Sequence, residues 1–333
     1  IASSHRLIAV AGAHGKTTTT GMIITALRSL GADPSFVNGG VIVEYGLSSD
    51  FGNGELFVIE ADESDGSFLH YDTDIAVITN VDADHLDHYG SSNAFFDAFD
   101  TFASNANEFA VINSSDAGCQ KLSVGKKPET IGFGYQNSEI QIFDVDASGP
   151  KVSFSVKYGE SSQKLELNIA GEHNAQNAAA AISVLVGLGF GFEQSCQAVA
   201  RYQGAERRFE LHGEVRGVRV YDDFAHHPTE VEAALKGARA SNPGGRLITV
   251  FQPHLFSRTR IFQKEFAEVL SLSDEVVITD IYPAREDPEP GVTGELIVNH
   301  FQNKQKVHYL PEWSSVADYV SKLAIECDFV ITM

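Results

Sequence analysis

Apolar positions along this chain follow two alternating rhythms. Leu7 to Ala11 reads LIAVA, an unbroken apolar run of the kind that forms an inner parallel strand, and LFVIEA (56–61), DIAVITNV (74–81) and EFAVINS (108–114) repeat it. Between these runs lie stretches with helical spacing. Thr17 to Leu30 carries Met22, Ile23, Ala26, Leu27 and Leu30 on one face, and 92–104 forms a second such stretch. Strands alternating with helices predict an α/β fold with a mostly parallel sheet. From 139 to 170 the period shortens to two, in IQIFDV, KVSFSVKY and KLELNI, which predicts a small antiparallel addition to the same domain. Helices follow over 171–190 and 193–202.

From Arg207 the α/β rhythm restarts with RFELHGEV and VRVYDD, a helix from about Thr229, and strands over 246–252, 274–282, 306–310 and 328–333. The restart divides the chain into domains of residues 1–204 and 205–333, and 333 residues suffice for a core in each. The chain opens just before one buried strand and stops on DFVITM with no covering helix, so it reads as a fragment, C-terminally incomplete, of a longer protein.

Composition narrows the partners. A net charge of −21 argues against nucleic acid and anionic lipid surfaces, so an anionic ligand would be held by local devices such as loops, metals and a few arginines. No window approaches the roughly 20 apolar residues of a membrane span, and no membrane insertion is expected. Cys119, Cys196 and Cys327 lie far apart, form no CxxC pair and read as buried thiols, and Ile1 to Arg6 lacks the layout of a secretory signal. A cytoplasmic protein is expected.

The most specific local chemistry is GAHGKTTTT at 12–20, placed where the strand 7–11 turns into the helix 17–30. Gly12 and Gly15 let backbone N–H groups curl around an anion, Lys16 supplies a point charge for the outer phosphates, and the Thr17 hydroxyl can reach Mg²⁺. The spacing is tighter than the common Walker loop, whose first glycine position is Val10 here. A nucleoside triphosphate is the expected ligand. EADESDGSF (60–68) follows the next strand with Glu60, Asp62, Glu63 and Asp65, which reads either as metal ligation or as an exposed acidic loop. NVDADHLDHYG (80–90) repeats the arrangement with His85 among its acids, on a strand expected to neighbour the one bearing Glu60. Asn174 and Asn177, three apart at a helix start, suit an adenine edge or a helix cap. In the second domain, Arg207 and Arg208, the run YDDFAHHPTEV with Asp222, Asp223, His226 and His227, and QPHLFSRTR with His254, Arg258 and Arg260 gather at strand ends, where open sheets bind ligands.

Together with RRFE and IYPAREDPEPG, these segments resemble, in order and over essentially the whole chain, the Mur ligase family of peptidoglycan synthesis. The resemblance implies a central P-loop ATPase domain followed by a Rossmann-like domain presenting an amino acid, with a UDP-sugar-binding domain lying before this chain. It implies an ATP-dependent ligase that forms an acyl phosphate on a sugar-lactyl carboxylate and then an amide, with UDP-N-acetylmuramate and L-alanine as substrates. A peptide-recycling ligase of the same family and a P-loop scaffold or switch are the alternatives, and a chain without the UDP anchor is expected to show little ligase activity. Residue by residue, it implies Gly12, His14, Gly15, Lys16, Thr17 and Thr18 around the phosphates, with Lys16 catalytic. Thr17 and Glu60 would hold one Mg²⁺ or Mn²⁺ and His85 a second; His173, Asn174 and Asn177 would hold adenine. Arg208 would approach the phosphates, Asp222 or Asp223 the ribose, and His226, His254 and Arg258 would line the acceptor site. Phe224 stands where the family often has tyrosine, and Leu255 where some members have arginine.

Overall fold

The computed structural model describes residues 5–82, 89–123 and 129–333. It divides into two compact units, one of residues 1–147 and 151–206, the other of 148–150 and 207–333.

The first unit contains β1 (Arg6–Ala11), α1 (Lys16–Ser29), β2 (Ser35–Ile42), β3 (Leu47–Asp50), β4 (Leu56–Glu60), β5 (Ile75–Ile78) and α2 (Ser92–Ser104). It continues with β6 (Phe109–Asn113), β7 (Glu129–Gly134), β8 (Ile140–Asp146), β9 (Val152–Tyr158), β10 (Ser161–Leu167), α3 (His173–Gly187) and α4 (Phe192–Val199). All ten strands form one sheet in the order β10-β9-β8-β7-β6-β5-β1-β4-β2-β3. Pairing is parallel from β2 across to β8 and antiparallel at both edges, in β2–β3 and in β8–β9–β10. The alternating segment therefore extends the parallel sheet.

Strand β1 shows why its sequence is apolar throughout. Ile8 and Val10 join the core with α1, α3 and α4, while Leu7, Ala9 and Ala11 point to the other face among Phe95, Phe99 and Phe102 of α2. Burial on both faces is what a central parallel strand requires. One expectation needs correction. Strands β4 and β5 do not neighbour each other; β1 stands between them, with Val10 opposite Glu60 and Ala11 opposite Ile78. Central placement of the first strand puts its carboxyl-end loop between those of β4 and β5.

The second unit contains β11 (Glu210–Val215), β12 (Val218–Asp222), α5 (Pro228–Ser241), β13 (Leu247–Phe251), α6 (Phe256–Leu270), β14 (Glu275–Ile278), α7 (Glu295–His300), β15 (Val307–Tyr309), α8 (Trp313–Leu323) and β16 (Phe329–Thr332). Its sheet runs β11-β12-β16-β13-β14-β15, parallel except for the β11–β12 hairpin. Strand β16 is central. Periodicity did not single out β2, β3, β7 or the helices α6, α7 and α8. Strand β2 breaks its apolar run with Asn38-Gly39-Gly40, and the first turn of α6 carries Ser257, Arg258 and Arg260.

Candidate active site

The loop Gly12–Gly15 joins β1 to α1 in backbone conformations that glycine favours, with φ of 138° at Gly12 and 82° at Gly15. Space is equally limiting. A Cβ at Gly12 would strike the Thr79 hydroxyl, and one at Gly15 would strike Oδ1 of Asn177 on α3. Because the N-cap of α1 is glycine, no side chain caps its first turn, which leaves those N–H groups available for an anion.

The residues after β5 brace this loop. Asn80 Oδ1 accepts from His14 N (2.9 Å), while Asn80 Nδ2 and Thr79 Oγ1 both donate to His14 O at 2.8 and 2.6 Å. Behind them Asn113 Nδ2 donates to Thr79 O (2.9 Å) and to Gln176 Oε1 on α3 (2.8 Å). His14 thus enters the site through its backbone, and its imidazole lies 3.9 Å from the Asp82 carboxylate. Asn80 falls inside a motif read for its acids and histidines; the bracing role of Thr79, Asn113 and Gln176 has no local sequence signal.

Lys16 Nζ donates to Gly12 O (2.7 Å), Ala13 O (3.4 Å) and Glu63 Oε1 (2.9 Å). Burial alone would push this ammonium down, but the charges of Glu63, Glu60 and Asp62 outweigh it and hold the pKa above its ordinary value. Lys16 is charged. The four acids of the loop after β4 divide into distinct roles. Asp62 and Asp65 fold the loop locally, accepting from Ser64 and from Ser67 N respectively. Glu63 is 1% exposed, and its carbonyl accepts from the Tyr89 hydroxyl.

Glu60 Oε2 accepts from Gly39 N at 2.7 Å. A side chain at Gly39 would collide with that carboxylate, and one at Gly40 would meet Thr17 Cγ2 at 3.1 Å. The Asn38-Gly39-Gly40 segment of β2 thus touches both Thr17 and Glu60, and its paired glycines were an unread signal of close approach. Thr18 lies partly exposed on α1. His85 falls outside the described residues.

On α3, Asn174 and Asn177 are both 6% exposed. Asn174 Nδ2 donates to Ala170 O (2.7 Å) and Asn177 Nδ2 to Asn174 Oδ1 (2.9 Å), so the pair is linked and its far end meets the Gly12–Gly15 loop at Gly15. His173 is exposed at the helix start, beside Gly171.

The second unit gathers its own constellation. Arg207 and Phe209 have left-handed φ of 58° and 55°, and the Asp223 carboxylate secures the turn between them by accepting from Phe209 N (2.8 Å) and Ala225 N (2.7 Å). Burial raises Asp223 to about 6, against the lowering effect of Arg208. Asp222 accepts from Arg207 Nε (3.0 Å) and the Thr332 hydroxyl (2.5 Å).

The ring of Phe224 lies under the guanidinium groups of Arg207 (4.8 Å) and Arg208 (5.8 Å) and meets His226 edge-on at 5.1 Å. The imidazoles of His226 and His254 stand 5.4 Å apart, and Tyr282 stacks on His254 at 5.6 Å.

Protonation follows from the partners. His226 Nδ1 is 2.7 Å from Phe224 O, which can only accept, so Nδ1 carries the proton and Nε2 keeps its lone pair. Arg258 Nη1 lies 3.4 Å from His254 Nδ1 and can only donate, so His254 carries its proton on Nε2. Burial lowers both histidines, with Arg258 adding to it; His254 falls to about 4, and His226 acts on it too. Arg258 itself is 5% exposed in the first turn of α6. Leu255 caps that helix with a φ of 71° and donates its N–H to Tyr282 O, and Ser257 donates to Glu286. Tyr282 and Glu286 lie within the IYPAREDPEPG run, to which no role was attached.

The first unit thus holds a glycine loop with a buried, charged lysine, and the second holds two neutral histidines beside an arginine. Residues 10–185 match the Mur ligase middle domain and residues 207–333 the Mur ligase glutamate ligase domain. The chain belongs to the Mur ligase family. It is 53% identical over 333 residues to the UDP-N-acetylmuramate–L-alanine ligase of Clavibacter michiganensis subsp. michiganensis, covering 99% of this chain and 70% of that protein. Identity to the enzyme of the same name from Paenarthrobacter aurescens is 47%, over 99% and 72%. The crystal structure of the UDP-N-acetylmuramate–alanine ligase from Thermotoga maritima superposes with a TM-score of 0.82 at 27% identity, covering 98% of this chain and 71% of that one.

Proposed function

We propose that this chain carries the nucleotide-binding and amino-acid-presenting parts of a cytoplasmic, ATP-dependent ligase that joins L-alanine to the carboxylate of UDP-N-acetylmuramate in peptidoglycan synthesis. Residues 1–204 form the ATP domain and 205–333 the acceptor domain. The observation that carries the reading is the Lys16 cradle, held by Gly12, Ala13 and Glu63, in a chain 53% identical to a ligase of that name.

A carboxylate is a poor electrophile. Transfer of the γ-phosphoryl group from ATP converts it to an acyl phosphate, and attack by the alanine amine gives a tetrahedral intermediate that collapses to amide and phosphate. In the first step Lys16 and the uncapped N–H groups of the first turn of α1, framed by Gly12, His14 and Gly15 and with Thr17 and Thr18 at the helix start, bind phosphate oxygens and stabilise charge through position rather than covalent chemistry. His173, Asn174 and Asn177 are assigned to the adenine. Thr17 and Glu60 both border the glycine pair of β2, and their hydroxyl and carboxylate are hard oxygen ligands of the kind Mg²⁺ takes, with His85 for a second ion and Mn²⁺ as a substitute. The metal supplies charge neutralisation when bound.

In the second step the amino acid arrives as an ammonium and must lose a proton before attack. His226 is neutral with its lone pair on Nε2, so it is the base, whereas His254 presents an N–H. Arg258 receives the alanine carboxylate through its planar fork. The test is phosphate release by the longer protein that includes a UDP-sugar-binding domain, measured with ATP, UDP-N-acetylmuramate and single amino acids. Release that needs both the sugar nucleotide and L-alanine is expected; release independent of acceptors, or with a free peptide in place of L-alanine, overturns the reading.

A further inference from the structure

An ammonium has three protons, and those of Lys16 are all spoken for. Two go to the carbonyls of Gly12 and Ala13 and the third to Glu63 Oε1, at 2.7, 3.4 and 2.9 Å. A phosphate oxygen can reach this lysine only by displacing one of these acceptors. The two carbonyls belong to the loop that frames the site, whereas Glu63 comes from the loop after β4, and its carboxylate is the only anion among the three.

Glu63 is also built in rather than incidental. It is 1% exposed, its second oxygen Oε2 has no hydrogen-bond partner among the described residues, and Tyr89 ties its backbone carbonyl at 2.5 Å. Tyr89 itself is held edge-on against Phe95 of α2 at 5.1 Å. A buried carboxylate with one bare oxygen is costly unless its charge is matched, and Lys16 is the cation that matches it.

We infer that Glu63 is a positioning residue that stands in for the nucleotide's phosphate on Lys16, so that nucleotide binding exchanges one anion for another. The inference rests on the nucleotide reading of the Gly12–Gly15 loop. In the absence of nucleotide, Glu63 keeps the ammonium charged and aimed between the loop carbonyls. When a phosphate takes its place, the displaced carboxylate loses its cation, and this opposes binding. Glu63 thereby weakens nucleotide affinity while stabilising the nucleotide-free fold.

The sign of the effect is diagnostic, because a side chain that merely supported the loop would weaken binding when altered. In metal-free buffer, Glu63→Gln is expected to bind ADP and ATP about fivefold to tenfold more tightly than the parent by calorimetry, since a neutral amide competes less well for the lysine. Its nucleotide-free form should melt lower, and its nucleotide-induced rise in Tm should be larger. In a Lys16→Ala background the same substitution should leave affinity unchanged. Glu63→Ala, checked for folding by its near-ultraviolet spectrum, should tighten binding in the same direction. Unchanged or weaker affinity in Glu63→Gln overturns the exchange. If Lys16→Ala alone binds nucleotide as well as the parent, the nucleotide reading of the loop fails, and the exchange fails with it.

Discussion

The Arg258 guanidinium lies 3.4 Å from Nδ1 of His254, and this contact fixes the tautomer of the imidazole. Burial is the main cause of the lowering of His254 to about 4, with His226, Arg258 and Arg285 adding to it and Glu286 opposing. A ¹H–¹³C NMR titration should therefore place the His254 midpoint near 4. Arg258→Gln should move it upward, though not to the ordinary value, since burial remains. The sign for stability follows. Between pH 6.5 and about 4 the unfolded chain gains a proton that folded His254 refuses, so its contribution to stability falls as pH falls. Asp223, raised from 3.8 to about 6, acts in the opposite sense over its own interval, which is why the site-resolved titration is the decisive measurement. A His254 midpoint near 6.5 would contradict the assigned environment.

Gly15 joins a left-handed φ of 82° to contact with Asn177. Gly15→Ala should cost about 1–2 kcal/mol in backbone strain alone, with more from displacing Asn177. The expected result is a lower Tm together with loss of ATP binding in calorimetry. Gly31, with the same φ of 82° but nothing within 4 Å of a Cβ, is the control: alanine there should lower Tm and leave ATP binding intact.

How much of this was legible follows from what each residue touches. Strand β1 and the loop after it were readable because a run buried on both faces followed by Gly-x-x-Gly-Lys is a local pattern. The order of β5, β1 and β4 was not, because which parallel strands pair is decided by crossovers and not by any one strand's composition. The β2 segment carrying Asn38-Gly39-Gly40 was missed for a related reason. Its glycines weaken the strand signal, and only the fold shows that they make room for Glu60 and Thr17. In the second unit His226, His254 and Arg258 were named from their motifs, but the opposite tautomers of the two histidines depend on Phe224 O and on the first turn of α6, contacts that spacing does not reveal.

Phe68, in the short helical turn after the acidic loop, packs on Phe99 (5.4 Å) and Phe102 (5.0 Å) of α2, and Phe95 packs on Phe99 at 5.1 Å. Phe99 is fully buried at the centre of this cluster. Phe99→Ala should lower stability by about 3–5 kcal/mol in denaturant unfolding. Because the turn bearing Phe68 begins at Ser67, a short loop after Glu63, nucleotide affinity should change as well. A loss below about 1 kcal/mol, typical of a surface site, would mean that the cluster is not packed as described.

The last prediction concerns Glu60. Its carboxylate lies at the carboxyl end of β4, opposite Val10 in register, and is oriented by the Gly39 N–H at 2.7 Å. The same β2 segment touches Thr17 through Gly40. A carboxylate suits a small hard cation, whereas an imidazole such as His85 is a softer ligand that also suits Mn²⁺. Loss of an outer-shell partner to a metal ligand typically costs about 10–100-fold in metal affinity, and loss of the ligand itself should cost at least as much. Glu60→Ala should therefore raise the Mg²⁺ concentration for half-maximal phosphate release at least about tenfold. Gly39→Ala, which sets a methyl against the carboxylate, should shift it in the same direction. His85→Ala should slow phosphoryl transfer more than it weakens ATP binding, and Mn²⁺ should restore less activity to it than to the parent. Titrations in which Glu60→Ala keeps the parent's metal dependence would remove Glu60 from the metal site.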